Sequence, residues 1–221
     1  KMTDANGHSS SYGYDANKKL VLYTDPNGQA TAFKYDPLGR IIETVAPTGS
    51  KQSFSYDALG NRLSETSGEG HTTTYSYDSM NRVSSKKRPT GGETQYAYDA
   101  TGSLAKETDA NGHSTNYVND LYGRVTKRTL PNEAAYTYAY DALGRLTKQT
   151  GPQGLSKTYS YDVSGNLVQE TDQSNRSNHY SYDKVGRLLT AKNALDLETK
   201  YSYDEAGNLA KLTKPSGATT T

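Results

Sequence analysis

Cysteine and tryptophan are absent from this chain, and phenylalanine and methionine occur only twice each. Without cysteine nothing requires an oxidising compartment, and secretion stays open because a long sheet is stable without covalent staples. Leucine, isoleucine, valine and phenylalanine together number thirty among 221 residues, too few for a thick apolar core. No apolar run is long enough to span a bilayer, and no charged-then-apolar leader stands at Lys1, so the expectation is a soluble chain. A shortage of aliphatic residues ordinarily points to disorder, but disorder also calls for high net charge and few aromatics. Here the formal net charge is +1 and there are twenty tyrosines. Order carried by tyrosine is the reading.

Those tyrosines are periodic. A Tyr-Asp pair returns every 21 residues, without insertion or deletion, as Tyr14-Asp15, Tyr35-Asp36, Tyr56-Asp57, Tyr77-Asp78, Tyr98-Asp99, Tyr140-Asp141, Tyr161-Asp162, Tyr182-Asp183 and Tyr203-Asp204. Asn119-Asp120 keeps the aspartate of the tenth copy and loses its tyrosine. Self-similarity at a fixed period marks an array of one small unit, so function belongs to the array and not to a single pocket. The repeat is in phase at Tyr12 and persists to Pro215, so residues 1–221 read as one array of about ten repeats, cut from a longer one without its caps.

Two positions before each pair stands an aromatic residue: Tyr12, Phe33, Phe54, Tyr75, Tyr96, Tyr117, Tyr138, Tyr159, Tyr180 or Tyr201. A spacing of two places both rings on one face of a strand. Four residues after the tyrosine comes Gly39, Gly60, Gly102, Gly123, Gly144, Gly165, Gly186 or Gly207, with Asn81 as substitute and Lys18 in the degenerate first copy. Asp-x-x-Gly between two β-rich runs predicts a type I turn closed by a left-handed residue, the aspartate bonding the turn backbone. The following strand starts with an aliphatic residue such as Ile41, Val83, Leu104, Val125, Leu146, Leu167, Leu188 or Leu209. It ends near a threonine such as Thr108, Thr129, Thr150 or Thr171. A second turn follows, written Pro26-Asn-Gly28, Pro47-Thr-Gly49, Pro152-Gln-Gly154 or Pro215-Ser-Gly217.

Two strands of about seven residues and two turns fill the period. The predicted fold is therefore all-β: tandem 21-residue hairpins forming a continuous antiparallel strip of roughly twenty strands, with the rings of adjacent copies stacked. At about 4.8 Å per strand such a strip runs roughly 90 to 100 Å, which an open twisted sheet does not sustain flat; a curled or spiralling form is expected. An ordinary sandwich is disfavoured because it needs two apolar inner faces and varied loop lengths.

The pattern Tyr-x-Tyr-Asp-x-x-Gly-Arg-Leu, present as Tyr138-Ala-Tyr140-Asp141-Ala-Leu-Gly144-Arg145-Leu146 and Tyr180-Ser-Tyr182-Asp183-Lys-Val-Gly186-Arg187-Leu188, resembles the RHS/YD repeat over essentially the whole chain. The resemblance implies a β-strip wound into a hollow shell, as in bacterial Rhs polymorphic toxins, the shell components of Tc toxin complexes and the YD shell of teneurins. In the bacterial members the shell encloses a toxic C-terminal polypeptide, which implies a secreted or cell-surface setting. The self-cleaving segment of that family, with its catalytic aspartates, is matched by no stretch here. No catalytic residue carries over, and Asp57 and Asp141 read as turn formers.

Other motifs point the same way. Asp4-Ala-Asn6-Gly7, Asp25-Pro-Asn27-Gly28 and Asp109-Ala-Asn111-Gly112 open like a calcium loop but lack the glutamate that completes one, so turn chemistry accounts for them and no cofactor or metal is expected. His8, His71 and His113 share one slot in copies that are not neighbours, too far apart for shared coordination. Lys86, Lys87 and Arg88 form the one notable basic cluster, while Glu65, Glu107, Glu170 and Asp172 balance the charge, against nucleic-acid binding. Arg40, Arg82, Arg124, Arg145 and Arg187 recur behind the turn and are expected to stack on neighbouring tyrosines or pair with the turn aspartates. Two functions follow. One is a non-catalytic scaffold, a stretch of shell whose partners are the rest of the shell and an enclosed cargo. The other is a binding module for carbohydrate or a cell-surface partner, using exposed tyrosine rows. Open strand edges also invite self-association.

Overall fold

The computed structural model describes residues 2–3 and 8–220. Among them are twenty-two β-strands and no helix. The chain falls into two units, one made of Lys1–Asp99 with Lys106–Ser114 and the other of Ala100–Ala105 with Thr115–Thr221.

In the first unit, strands alternate between six residues ending at the repeat's tyrosine (Ala30–Tyr35, Lys51–Tyr56, Thr72–Tyr77) and five residues (Ile41–Val45, Arg62–Thr66, Val83–Lys87). Each pairs antiparallel with the next along the chain. The second unit repeats the scheme with Ala135–Tyr140, Leu146–Thr150, Ser156–Tyr161, Leu167–Thr171 and their successors. Both strands are shorter than the seven residues expected from sequence, because each reversal consumes five.

The two reversals of every repeat have one backbone design. After the six-residue strand, Gly39 N donates to Asp36 O at 2.9 Å and Asp36 N donates to Arg40 O at 2.9 Å. After the five-residue strand, Gly49 N donates to Ala46 O and Ala46 N to Ser50 O, both at 2.8 Å. This is a type I turn whose fourth residue is left-handed, the three-residue hairpin connection that matches the twist of its flanking strands. Gly39 and Gly49 have φ of +85° and +82°. Lys18, Asn81, Glu133, Asn175 and Asp196 take the same conformation without being glycine, at φ between +60° and +64°.

A β-bulge recurs at one place in each hairpin, just inside the turn that follows the tyrosine. Tyr35 pairs with Ile41 while Lys34 pairs with Glu43, and the shift repeats at Ser55/Tyr56, Ser76/Tyr77, Ala139/Tyr140, Ser160/Tyr161 and Ser181/Tyr182. Side chains alternate across the strip as strand geometry demands. In Thr72–Tyr77, Thr73, Tyr75 and Tyr77 are half-buried, and Thr72, Thr74 and Ser76 are exposed. Among the described residues no side chain is fully buried. There is a half-covered tyrosine face in place of a core.

Holding glutamate in the left-handed region costs about 1 to 2 kcal/mol, partly offset in a glycine variant by the greater freedom of its unfolded chain. Glu133→Gly is expected to raise the unfolding free energy by up to about 1 kcal/mol in a denaturant titration. A loss of stability contradicts the turn assignment.

Candidate functional site

The parts of the repeat motif meet across repeats. In the first unit the ladder between Ile41–Val45 and the next strand ends at Glu43 and Ser53, so Ile41 and Tyr56 lie beyond its last pair. The Ile41 carbonyl has no ladder partner there, and the Tyr56 hydroxyl donates to it at 3.0 Å. The same bond reaches back 15 residues from Tyr35 to Leu20 O at 2.7 Å, Tyr77 to Arg62 O at 2.9 Å and Tyr98 to Val83 O at 2.8 Å. In the second unit it runs from Tyr140 to Val125 O and Tyr161 to Leu146 O, both 2.9 Å, and Tyr203 to Leu188 O at 3.0 Å. Asn119, the one departure from tyrosine, donates its Nδ2 to Leu104 O at 2.9 Å. What the slot requires is a donor of sufficient reach, and the amide supplies it. Burial raises the pKa of Tyr77 and Tyr140, which keeps the phenol protonated as a donor.

The aspartate after the tyrosine keys the turn. Asp57 Oδ1 accepts from Leu59 N at 2.9 Å and Asn61 N at 2.8 Å, and Asp141 Oδ1 accepts from Leu143 N at 3.0 Å and Arg145 N at 2.9 Å. Asp36, Asp78, Asp120, Asp162, Asp183 and Asp204 accept the matching bond from the residue four positions on. Asp99 follows the strand that ends at Tyr98, and Gly102 has φ of +89°. Bonds from the Arg40, Arg82, Arg145 and Arg187 backbone N–H groups, with the guanidinium beside them, hold Asp36, Asp78, Asp141 and Asp183 below the usual carboxylate range, while burial opposes them. These carboxylates are consumed by structure. The sequence reading of Asp57 and Asp141 as turn formers agrees with this geometry.

The arginines fulfil both roles expected of them at once. Arg40 Nε lies 2.6 Å from Asp36 Oδ2, its guanidinium sits 4.8 Å over the ring of Tyr56 in the next repeat, and its Nη1 donates to Asp57 O at 2.8 Å. Arg145 repeats this with Asp141 at 2.6 Å, Tyr161 at 4.7 Å and Asp162 O at 3.0 Å. Arg82, Arg124 and Arg187 lie 4.3, 4.8 and 4.8 Å over Tyr98, Tyr140 and Tyr203. Where asparagine replaces arginine, Asn61, Asn166 and Asn208 still bond their own aspartates, and Asn61 also reaches Asn81 Oδ1 in the next turn at 3.1 Å.

Among the described residues the expected ring stacking between copies is not seen: the close ring pair is Tyr12 and Tyr23, 5.3 Å apart inside a single hairpin. Equivalent tyrosines of adjacent copies are two strands, about 9.6 Å, apart, beyond the roughly 4.5 to 7 Å over which rings interact. The intervening strand fills the gap with cations and polar residues, as where Lys86 lies 5.8 Å over Tyr75.

The remaining candidates are local. Asp4-Ala-Asn6-Gly7 lies outside the described residues. Asp25 and Asp109 spend Oδ1 on the backbone of their own turns, accepting from Asn27, Gln29, Asn111 and His113. His71 faces Glu69 and His113 faces Asp109, each at 3.3 Å within its own exposed turn. Among the described residues no group of three or more metal-binding side chains gathers. Strand alternation places Lys86, opposite Tyr75, and Lys87, opposite Thr74, on different faces, which divides the basic cluster. A shallow concavity of about 420 Å³ in the second unit is lined by Lys157, Tyr159, Glu170, Arg176 and Asn178 among others. There Glu170 accepts from the Tyr180 hydroxyl at 3.0 Å and from Asn178 Nδ2 at 2.9 Å.

The family model described as RHS Repeat matches residues 1–30, 14–51, 35–72, 56–93, 120–156, 140–177 and 182–219. No curated protein matches the chain. Among solved structures, the crystal structure of TcdB2-TccC3-Cdc42 is similar with a TM-score of 0.61 and 19% identity, over 93% of this chain and 14% of that one. The Photorhabdus luminescens Tc holotoxin pore carrying a mutant TccC3 gives a TM-score of 0.55 at 17% identity, over 93% of this chain and 13% of that one. At these identities the likeness is one of fold, and this chain spans a small part of the length of either.

Tyr140→Phe deletes the donor and leaves the Val125 carbonyl without its bond. A loss of about 1 to 2 kcal/mol is expected by chemical denaturation, and an unchanged midpoint contradicts the clamp. The pH dependence follows from the aspartates: a carboxylate with a lowered folded-state pKa contributes stability that is complete above its unfolded value, near 4, and lost as pH falls through the folded value. Far-UV circular dichroism is expected to show a strip unchanged from neutral pH to about 4 and melting below it. Melting already near pH 6 contradicts this assignment.

Proposed function

The chain belongs to the RHS repeat family, and on that premise we propose that residues 1–221 are one uninterrupted stretch of wall, a non-catalytic segment of a β-shell that encloses a toxin or other C-terminal cargo polypeptide. The observation that carries this is the direction of the bonds. The motif tyrosine, arginine and aspartate spend their polar groups on their own turn and on the adjacent repeat, as in Arg40 to Asp36 and Asp57, and Tyr56 to Ile41. Chemistry turned inward in this way makes surface, and activity then resides in what the surface holds. The fold shared with chains of the TcdB2-TccC3 structures supports the same reading. The partners are the remainder of the shell and the cargo, in a secreted or cell-surface bacterial protein.

A second reading, a carbohydrate or cell-surface binding module, is supported by the concavity beside Tyr159 and Glu170. It differs in requiring Tyr159 to remain open to solvent in the assembled protein.

The wall reading is tested by limited proteolysis of the complete protein from which these repeats come. Expected is a polypeptide beyond the repeats that resists protease until the wall is opened by acid or by removal of several motif tyrosines. Cleavage of that polypeptide in the intact protein as fast as in isolation contradicts enclosure.

A further inference from the structure

Arg128 differs from the arginines that key the turns. In Arg40, Arg82, Arg124, Arg145, Arg176 and Arg187 the Nε donates to an aspartate Oδ2 at 2.6 to 2.8 Å. Arg128 enters no ion pair among the described residues, and its Nε is buried without a hydrogen-bond partner. It belongs to the strand Val125–Thr129 and stands directly opposite Tyr117 on one side and Tyr136 on the other, with its guanidinium 5.2 Å over the Tyr136 ring. All three side chains are half-buried on the tyrosine face. In the equivalent place of other repeats the second neighbour is Thr73, Thr94, Lys157 or Asn178, so two rings flanking one cation set this repeat apart. Tyr136 also borders a recess of about 300 Å³, lined besides by Gly151, Pro152, Gln153, Leu155 and Gln173. A Cβ on Gly151 would meet the Tyr136 ring at 3.8 Å, so glycine there leaves room beside the ring.

We propose that Arg128 is a docking point for the carboxylate of an acidic polypeptide side chain, received between Tyr117 and Tyr136. A buried N–H without an acceptor is costly, and the Nε edge is the one that Arg40 and Arg145 give to a carboxylate of their own turn. Turning of the Tyr136 ring into the recess uncovers that edge, a side-chain motion on an open face that leaves the strands in place. Charge and shape select the occupant. One guanidinium matches the single charge of a carboxylate and grips it with two parallel bonds. A phosphate monoester carries about −1.5 to −2, and Lys127, the adjacent cation in the strand, lies on the opposite face. A sugar acid brings a ring of hydroxyls, to which Tyr117 and Tyr136 offer only their two phenols. The inference concerns one side chain of the ring face and holds whether or not a cargo is enclosed.

The test follows the arginine Nε–Hε signals of the full chain by nuclear magnetic resonance at constant ionic strength, the Arg128 signal being the one lost in Arg128→Lys. The probes are a blocked Gly-Glu-Gly peptide, its Gly-Gln-Gly counterpart, glucuronate and inorganic phosphate. Expected is a saturable shift of the Arg128 signal with the glutamate peptide, at least ten-fold weaker binding of the glutamine peptide, and an unmoved Arg145 signal, because Asp141 already fills that edge. Gly151→Leu closes the recess with a residue that the previous repeat carries at the same slot, as Leu130. Circular dichroism is expected to remain native in that variant while affinity for the glutamate peptide falls at least three-fold. The proposal is overturned by a shift that does not saturate, by equal binding of the two peptides, by parallel movement of the Arg145 signal, by tighter binding of glucuronate or phosphate than of the glutamate peptide, or by a Gly151→Leu chain that binds as well as the parent.

Discussion

The structure depends on a hydrogen bond from the motif tyrosine to a backbone carbonyl of the repeat before it, made by Tyr35, Tyr56, Tyr77, Tyr98, Tyr140, Tyr161 and Tyr203. With no fully buried side chain among the described residues, a single hairpin has nothing to fold around. The bulge inside each hairpin frees a carbonyl where the ladder to the next strand stops, and an unpaired carbonyl on a half-covered face is costly. The phenol covers that gap and bonds its oxygen. Each repeat thus completes its predecessor, the nearest-neighbour arrangement on which linear repeat arrays depend.

Arginine strengthens the same link from the opposite direction. Arg40 is fixed by its own Asp36 and laid over Tyr56, so its cation lies against the ring whose hydroxyl holds Ile41. Guanidinium suits this use because its planar fork bonds a carboxylate while its face packs on a ring. Arg40 and its partner carboxylate are both partly covered, which lets the pair count for more than an exposed ion pair of comparable distance such as Lys192–Asp196. Asparagine in the arginine slot keeps the link to its own turn but has no cation to lay over the ring. Asn61 still reaches the next turn, through a hydrogen bond to Asn81 Oδ1 in place of a ring contact.

Much of this was legible in the sequence because it depends on side chains at fixed spacing. Asp-x-x-Gly named the turn, Tyr-x-Tyr named the face, and the arginine slot named both of its partners. The tyrosine's own role was not legible as a clamp. Its partner is a backbone carbonyl 15 residues upstream, exposed by a bulge that leaves no mark in composition, and tyrosines repeated in register suggest stacking more readily than hydrogen bonding. Asn119 was the clue: an amide has no ring to stack, but it replaces a phenol as donor. Strand length was overestimated for a related reason, since the five residues of each reversal include positions whose β-propensity resembles that of the flanking strands. The divided basic cluster at Lys86 and Lys87 was readable in principle, because adjacent strand residues face opposite sides.

A bond pattern confined to neighbouring repeats has a consequence for evolution and assembly. Adding a repeat adds one clamp and one turn of each kind without altering any existing contact, so a strip of this design lengthens without a new core. A globular domain cannot grow in this way, because its apolar interior stops scaling beyond a few hundred residues. Low aliphatic content, near-neutral charge and the absence of cysteine are then properties of a material whose cohesion is local and polar.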